Sequence, residues 1–216
     1  MNGTAYFTGL DLGQSQDYSA LVVVEQCSRA GEREHEYRVR HLHRWNLGTS
    51  YPAIVADVAG MFSDYPLRDS TLVIDATGVG RPVVDMVTNA GLRATVKALS
   101  ITAGNAPGEA TVPKKDLVGA VQAAIQSRRL KIAEGLPLAA TLAREMEQFR
   151  VKVTADRNET FASWRERDHD DLLLALALAI WYGERHPGNQ AECYSKPRSL
   201  PPGIHRGSGL PEAIWR

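Results

Sequence analysis

Tyr6-Phe7-Thr8-Gly9-Leu10-Asp11-Leu12-Gly13-Gln14-Ser15-Gln16-Asp17-Tyr18-Ser19-Ala20-Leu21-Val22-Val23-Val24-Glu25 is an apolar run, a Gly-containing polar turn and a second apolar run rich in β-branched residues. That pattern predicts a β-hairpin. Asp11 closes the first strand, so its carboxylate sits where a buried strand emerges at the rim of a sheet, and function often resides at such rims. A lone Asp at a strand end is also an ordinary turn-former. The other acids of the chain therefore decide what Asp11 is for.

Outward from the hairpin, residues 36–45 mix Tyr37, Val39, Leu42 and Trp45 with basic side chains and predict a third, half-exposed strand. Over residues 50–65, Ile54, Val55, Val58, Met61 and Phe62 fall at helical spacing, with Thr49 or Ser50 as cap and Pro52 in the first turn. Thr71-Leu72-Val73-Ile74-Asp75 is a second apolar run ending in an acid, and a helix is predicted over 82–89. Residues 94–101 form a fifth strand, which implies a βαβ unit. Two more amphipathic helices open at Pro113 and Pro137, the first with Leu117, Val118, Val121, Ala124 and Ile125 on its core face, the second with Leu138, Leu142, Met146 and Phe149. Residues 151–153 and 160–162 flank a polar turn and predict a small accessory hairpin outside the main sheet. Asp168-His169-Asp170-Asp171 then opens a run, 172–181, that is apolar on every side and so predicts a buried helix with acids at its first turn. The domain is expected over 1–185, with a Pro/Gly-rich tail, extended or disordered, over 186–216.

The chain has 216 residues, enough for one domain with a substantial core. Its 25 Lys and Arg balance 25 Asp and Glu, so any nucleic-acid surface must be local. The two cysteines, Cys27 and Cys193, lie far apart without metal-ligand spacing, which suits a reducing compartment and argues against a disulfide scaffold. There is no signal-peptide pattern, and the longest apolar run is about half of the ~20 residues a membrane helix needs.

Pairing the first strand in parallel with 71–75, through a right-handed crossover, brings Asp11 and Asp75 side by side at one sheet edge. The helix that begins at Asp170-Asp171 delivers a third carboxylate there. Taken singly, each acid is explained as a loop starter or a helix cap. Taken together they repel one another unless cations neutralise them, and hard oxygen ligands suit Mg²⁺ or Mn²⁺. Two such ions about 4 Å apart activate a water and stabilise the leaving oxygen at a phosphodiester. Asp17, across the turn from Asp11, is a supporting group or occasional ligand, or else an ordinary turn Asp; His169 orients a water or contacts the scissile phosphate, although such a residue is more often a loop histidine.

Gly9-Leu10-Asp11-Leu12-Gly13 with Asp17-Tyr18-Ser19-Ala20, then Val73-Ile74-Asp75-Ala76-Thr77-Gly78-Val79-Gly80, then Val112-Pro113-Lys114-Lys115-Asp116-Leu117, then His169-Asp170-Asp171-Leu172 with Ala175, Ala177 and Ala179, resemble in order and spacing the C-terminal nuclease domain of tailed-phage terminase large subunits. The likeness runs from about Gly9 to Tyr182. It implies an α/β, RNase H-like fold, a five-stranded mixed sheet of order 3-2-1-4-5 flanked by helices, and a two-metal endonuclease that cuts concatemeric viral DNA with little sequence specificity during genome packaging in the host cytoplasm. It carries the ligand role onto Asp11, Asp75 and the Asp170/Asp171 pair, with Asp171 preferred, and it makes residues 151–162 the hairpin beside the DNA path. DNA affinity then comes from Lys114, Lys115, Arg128, Arg129, Arg150, Lys152 and Arg165 through phosphates.

The chain departs from a whole large subunit in one respect: it has no Gly-x-x-x-x-Gly-Lys-[Ser/Thr] phosphate loop. ATP-driven translocation is expected of a packaging ATPase domain elsewhere, with the terminase small subunit and portal as further implied partners. The main alternative is another RNase H-like nuclease such as a Holliday-junction resolvase, which needs the same carboxylates. Asp11-Leu12-Gly13 and Asp75-Ala76-Thr77-Gly78 also resemble the phosphate loops of actin-like ATPases, but those need two related domains, which this length does not easily house.

Overall fold

The opening hairpin forms as its residues dictate. β1 (Ala5–Asp11) runs antiparallel to β2 (Ala20–Ser28), with Asp11 opposite Ala20, and β2 runs antiparallel to β3 (His35–Arg44). The structure, a computed structural model, describes residues 5–13, 17–28, 34–79, 81–103, 108–155 and 170–187, the side chains of 149–155 excepted. Helix α1 (Tyr51–Met61) leads to β4 (Thr71–Asp75), which pairs in parallel with β1, and α2 (Arg81–Thr88) leads to β5 (Thr95–Thr102), parallel to β4. Then follow β6 (Thr111–Pro113), α3 (Lys114–Gln126), β7 (Leu130–Ile132), α4 (Ala139–Ala155) and α5 (Asp171–Arg185).

The sheet order is β6-β5-β4-β1-β2-β3-β7. The expected five strands in the order 3-2-1-4-5 form its centre, and the sheet has seven strands because two three-residue strands close its edges. Such short edges leave little unpaired backbone for another chain to join, and Pro113, which has no N–H to give, stands in one of them.

Both faces of the sheet are covered, so the central strands are apolar throughout rather than alternating. Ala20, Val22 and Val24 face one core together with Phe7, Val73 and the helices α3 and α5; Leu21 and Val23 face the other, with Leu10, Ile74 and the buried side of α1 and α2. Every residue of α5 from Asp171 to Gly183 is buried. Its all-round apolarity follows from lying between the sheet and α3 and α4.

α5 can lie this close because two glycines leave room. A Cβ on Gly9 would stand 1.8 Å from the Ala175 carbonyl oxygen, and one on Gly183 would meet the rings of Tyr37 and Phe7. Gly9 is near the end of β1 and Phe7 earlier in it, so α5 runs antiparallel to β1. Gln26 Nε2 donates to the Gly183 carbonyl at 2.8 Å and fixes the far end of the helix.

Two expectations are corrected. Residues 151–153 are not a strand: α4 continues through them, since extending a helix already begun costs only tenths of a kcal/mol even at β-branched residues. The rest of the expected accessory hairpin lies outside the described residues. The helix opening at Pro137 begins at Ala139, because Leu138 takes a positive φ of 65°. Residues 188–216, the bulk of the expected tail, lie outside the described residues. Among the described residues no helix is long and apolar enough to cross a membrane.

Two consequences are measurable. Gly9→Ala should lower unfolding stability by about 3 kcal/mol in chemical denaturation, because a methyl group meets backbone rather than a movable side chain; an unchanged midpoint would mean that α5 does not cross β1 here. His41 is buried on β3, and burial, helped by the neighbouring His43, pushes its imidazole down to about 4. The unfolded chain therefore takes up this proton first, and stability that is complete above about pH 6.5 is lost as pH falls toward 4, by about 3 kcal/mol in all. In urea melts from pH 7 to 4.5, His41→Leu should lose that part of the acid slope; a constant difference from the parent protein would show that His41 is not held neutral.

Candidate metal centre

The parallel register pairs Phe7 with Thr71 and Leu10 with Ile74, so the next residues along, Asp11 and Asp75, end adjacent strands at the same level. Strands in a sheet lie about 4.8 Å apart. Since side chains alternate and Leu10 and Ile74 face the α1 and α2 core, Asp11 and Asp75 face the α5 side. Both are buried.

Asp75 is held by its own loop. Its Oδ1 accepts the Thr77 N–H at 2.7 Å, and Thr77 Oγ1 accepts the Ile101 N–H at 2.7 Å, which ties the turn after β4 to β5. The chain after Asp11 is held from two directions: the Gly13 N–H donates to Ser19 Oγ at 3.1 Å, and the Tyr51 hydroxyl donates to the Gly13 carbonyl at 3.1 Å. Burial first, then the charge of Asp11, raises the Tyr51 hydroxyl above its ordinary value.

The third carboxylate comes from above. Ala175 sits on Gly9, and Asp171 lies four residues, about 6 Å, back along α5, while Asp11 lies two residues, about 6.6 Å, on along β1. Because helix and strand are antiparallel, these displacements point the same way and bring Asp171 over the end of β1. Positions i and i+4 share a helix face, so Asp171 is on the sheet side with Ala175. Asp170 is the residue before the helix, and its carbonyl accepts the Leu174 N–H at 2.9 Å.

Asp170 does not use its side chain to cap α5. Instead Glu145, buried on α4, accepts the Leu173 N–H through Oε2 at 2.9 Å and pairs through Oε1 with Arg44 Nη2. Arg44 Nη2 is also 3.6 Å from Asp171 Oδ2, and the guanidinium lies over the Tyr18 ring, 4.7 Å from its centroid. Burial pushes the Glu145 carboxyl up to about 7, and the charges of Asp171 and Asp170 add to that, against the Leu173 N–H and Arg44, which favour ionisation. Neither Arg44 nor Glu145 was anticipated from the sequence. The available signal was an acid inside the apolar stripe of Leu142 and Met146.

The other expected residues are placed as follows. Asp17 is exposed, and its backbone carbonyl packs against Gly13. Lys114 and Lys115 begin α3 directly after β6; since β6, β5, β4 and β1 are parallel, both stand at the same carboxyl edge as Asp75. Arg128 is exposed, and Arg129 pairs with Glu184 at 2.5 Å and with Glu34 at 3.0 Å. Glu184 is thirteen residues along α5 from Asp171, or about 20 Å, so Arg129 lies toward the other end of α5 from the acids. His169 and Arg165 lie outside the described residues, as do the side chains of Arg150 and Lys152, whose backbone is in α4.

The donors gathered here are carboxylate oxygens, a set suited to hard cations. Among the described residues no three His, Cys, Asp or Glu side chains stand close enough to enclose an ion as they are. Backbone placement puts Asp11 and Asp75 at the ends of paired strands and Asp171 at the start of the helix that crosses β1.

The same fold occurs in solved nuclease domains. The large terminase nuclease of thermophilic phage G20c is 21% identical, with a TM-score of 0.53 over 82% of this chain and 81% of that one. The large terminase nuclease domain of bacteriophage SPP1, solved with bound Mn, is 15% identical, with a TM-score of 0.50 over 84% and 86%. That of P22 is 11% identical, with a TM-score of 0.50 over 85% and 81%. No curated protein matches in sequence. Residues 8–182, most of the chain, match the family described as Terminase RNaseH-like domain, and the chain belongs to that family.

Proposed function

We propose that the chain is an endonuclease that hydrolyses phosphodiester bonds of double-stranded viral DNA during genome packaging, with two divalent cations, Mg²⁺ or Mn²⁺. The observation that carries this reading is the register: Asp11 and Asp75 end paired strands at one level, and α5 brings Asp171 over them. The Mn in the SPP1 domain and the zinc bound to the G20c nuclease support a divalent cation for this chain too.

In this reading Asp11, Asp75 and Asp171 hold the cations, with Asp170 beside them. Bound there, the ions supply an activated water and stabilise the leaving oxygen. The protein's own part is orientation. The Thr77 hydrogen bond fixes the Asp75 carboxylate, and burial of the acids keeps competing water low. His169 orients the water or the scissile phosphate, and Asp17 supports the strand end from across the turn. Lys114 and Lys115 meet DNA phosphates along the carboxyl edge, joined by Arg150, Lys152 and Arg165. Such contacts fix position without reading sequence.

Translocation belongs to a separate packaging ATPase domain, and the small subunit and portal complete the machine in the cytoplasm of the infected cell. The resolvase alternative shares this chemistry and differs only in preferring branched DNA.

Supercoiled plasmid should be nicked and linearised with Mn²⁺ or Mg²⁺ and remain intact in EDTA. Asp75→Asn keeps an oxygen for the Thr77 N–H, so it should fold normally yet cut at least ~10²-fold more slowly, since a metal-held charge is worth several kcal/mol in the transition state. Undiminished cutting by this variant would overturn the ligand assignment.

A further inference from the structure

Arg44 and Glu145 do more than join β3 to α4. Register places Arg44 opposite Ala20 and Ala20 opposite Asp11, so Asp75, Asp11, Ala20 and Arg44 form one row across four neighbouring strands. Ala20 is the small member of that row, and it faces the α5 core. Asp171 comes down over this row within 3.6 Å of Arg44. The guanidinium is itself fixed, by the Tyr18 ring on one side and Glu145 on another.

We propose that Arg44 and Glu145 are positioning residues for the metal-holding carboxylate of Asp171: Glu145 fixes the first turn of α5 through the Leu173 N–H, and Arg44 sets a positive charge 3.6 Å from an oxygen of Asp171. The inference rests on the reading of Asp171 as a ligand. Two physical requirements make it specific. Asp171 is the first residue of α5, where backbone N–H groups lack partners within the helix and ends fray, so an acceptor supplied by α4 holds the turn in place. A carboxylate that must meet two others also needs its place fixed, and a planar guanidinium stacked on the Tyr18 ring holds its charge in one position better than a flexible ammonium. Because Glu145 offsets the charge of Arg44, the pair orients Asp171 without placing a net positive charge against incoming cations. Outer groups that orient a metal ligand are typically worth about 10–100-fold in metal affinity or activity.

The test uses the full chain at pH 8, with Mn²⁺ alone titrated calorimetrically and plasmid cutting followed in parallel. Arg44→Met and Glu145→Ala should weaken Mn²⁺ binding about tenfold or more and lower kcat with little change in KM for DNA. Arg44→Lys, which keeps the charge but loses the planar group stacked on Tyr18, should fall between them and the parent protein. Cooperative melting establishes that each variant folds. Should Arg44→Met or Glu145→Ala not fold, Arg44→Lys and Glu145→Gln decide by the same readings. Variants that fold and bind Mn²⁺ as tightly as the parent protein, or more tightly, overturn the inference and leave the pair a purely structural link. Asp171→Asn separates the two levels: if it binds Mn²⁺ normally, the ligand reading fails and this inference falls with it. If it loses Mn²⁺ while the Arg44 and Glu145 variants do not, only the positioning role fails.

Discussion

The close passage of α5 across β1 is the constraint on which the rest of the molecule depends. With the Ala175 carbonyl occupying the space of a Gly9 side chain, the helix has one depth and one longitudinal position relative to the strand. Its apolar sides are then spent on the sheet, α3 and α4, and its first residue is carried to the end of β1. A helix held one turn further along would place Asp171 about 5.4 Å from its present level and separate it from Asp11. Fold and site are therefore set by the same contact.

The carboxyl edge concentrates acids where the interior meets solvent, and the molecule handles this in two different ways. Asp75 is satisfied locally by the turn that follows it. Asp171 and Glu145 are handled by a shared cation, Arg44, brought from a strand two places away from β1. Burial drives Glu145 towards its neutral form while Arg44 and the helix start favour the charged one, and the opposition between them marks this corner as one where charge has been gathered at a cost in stability. A cation placed among Asp11, Asp75 and Asp171 would relieve that cost, and the same ion would supply the chemistry of phosphodiester hydrolysis.

Much of this was legible in the amino-acid order. Two strands that are apolar to their last residue and end in Asp, together with a wholly apolar helix that starts with acids, made the parallel pairing of β1 with β4 and the start of α5 legible, and the family resemblance implied the central strand order. Local signals failed where structure was too short or too distant. Three residues at 111–113 or 130–132 carry no periodicity, so both edge strands were missed. Val151-Lys152-Val153 has the composition of a strand, but it follows directly on a helix whose propagation outweighs that preference. The contact of Arg44 with Glu145 joins residues 101 apart in sequence, and no pattern in one chain announces such a meeting. An acid in a stripe of Leu and Met was the visible trace of it.

Diffraction from crystals soaked in Mn²⁺, with anomalous data, tests the central claim most directly. The account predicts Mn²⁺ peaks bounded by the carboxylates of Asp11, Asp75 and Asp171, at oxygen distances of about 2.0–2.3 Å. Ordered crystals of the same fold with these three carboxylates free of Mn²⁺, or with Mn²⁺ bound only elsewhere, would contradict it.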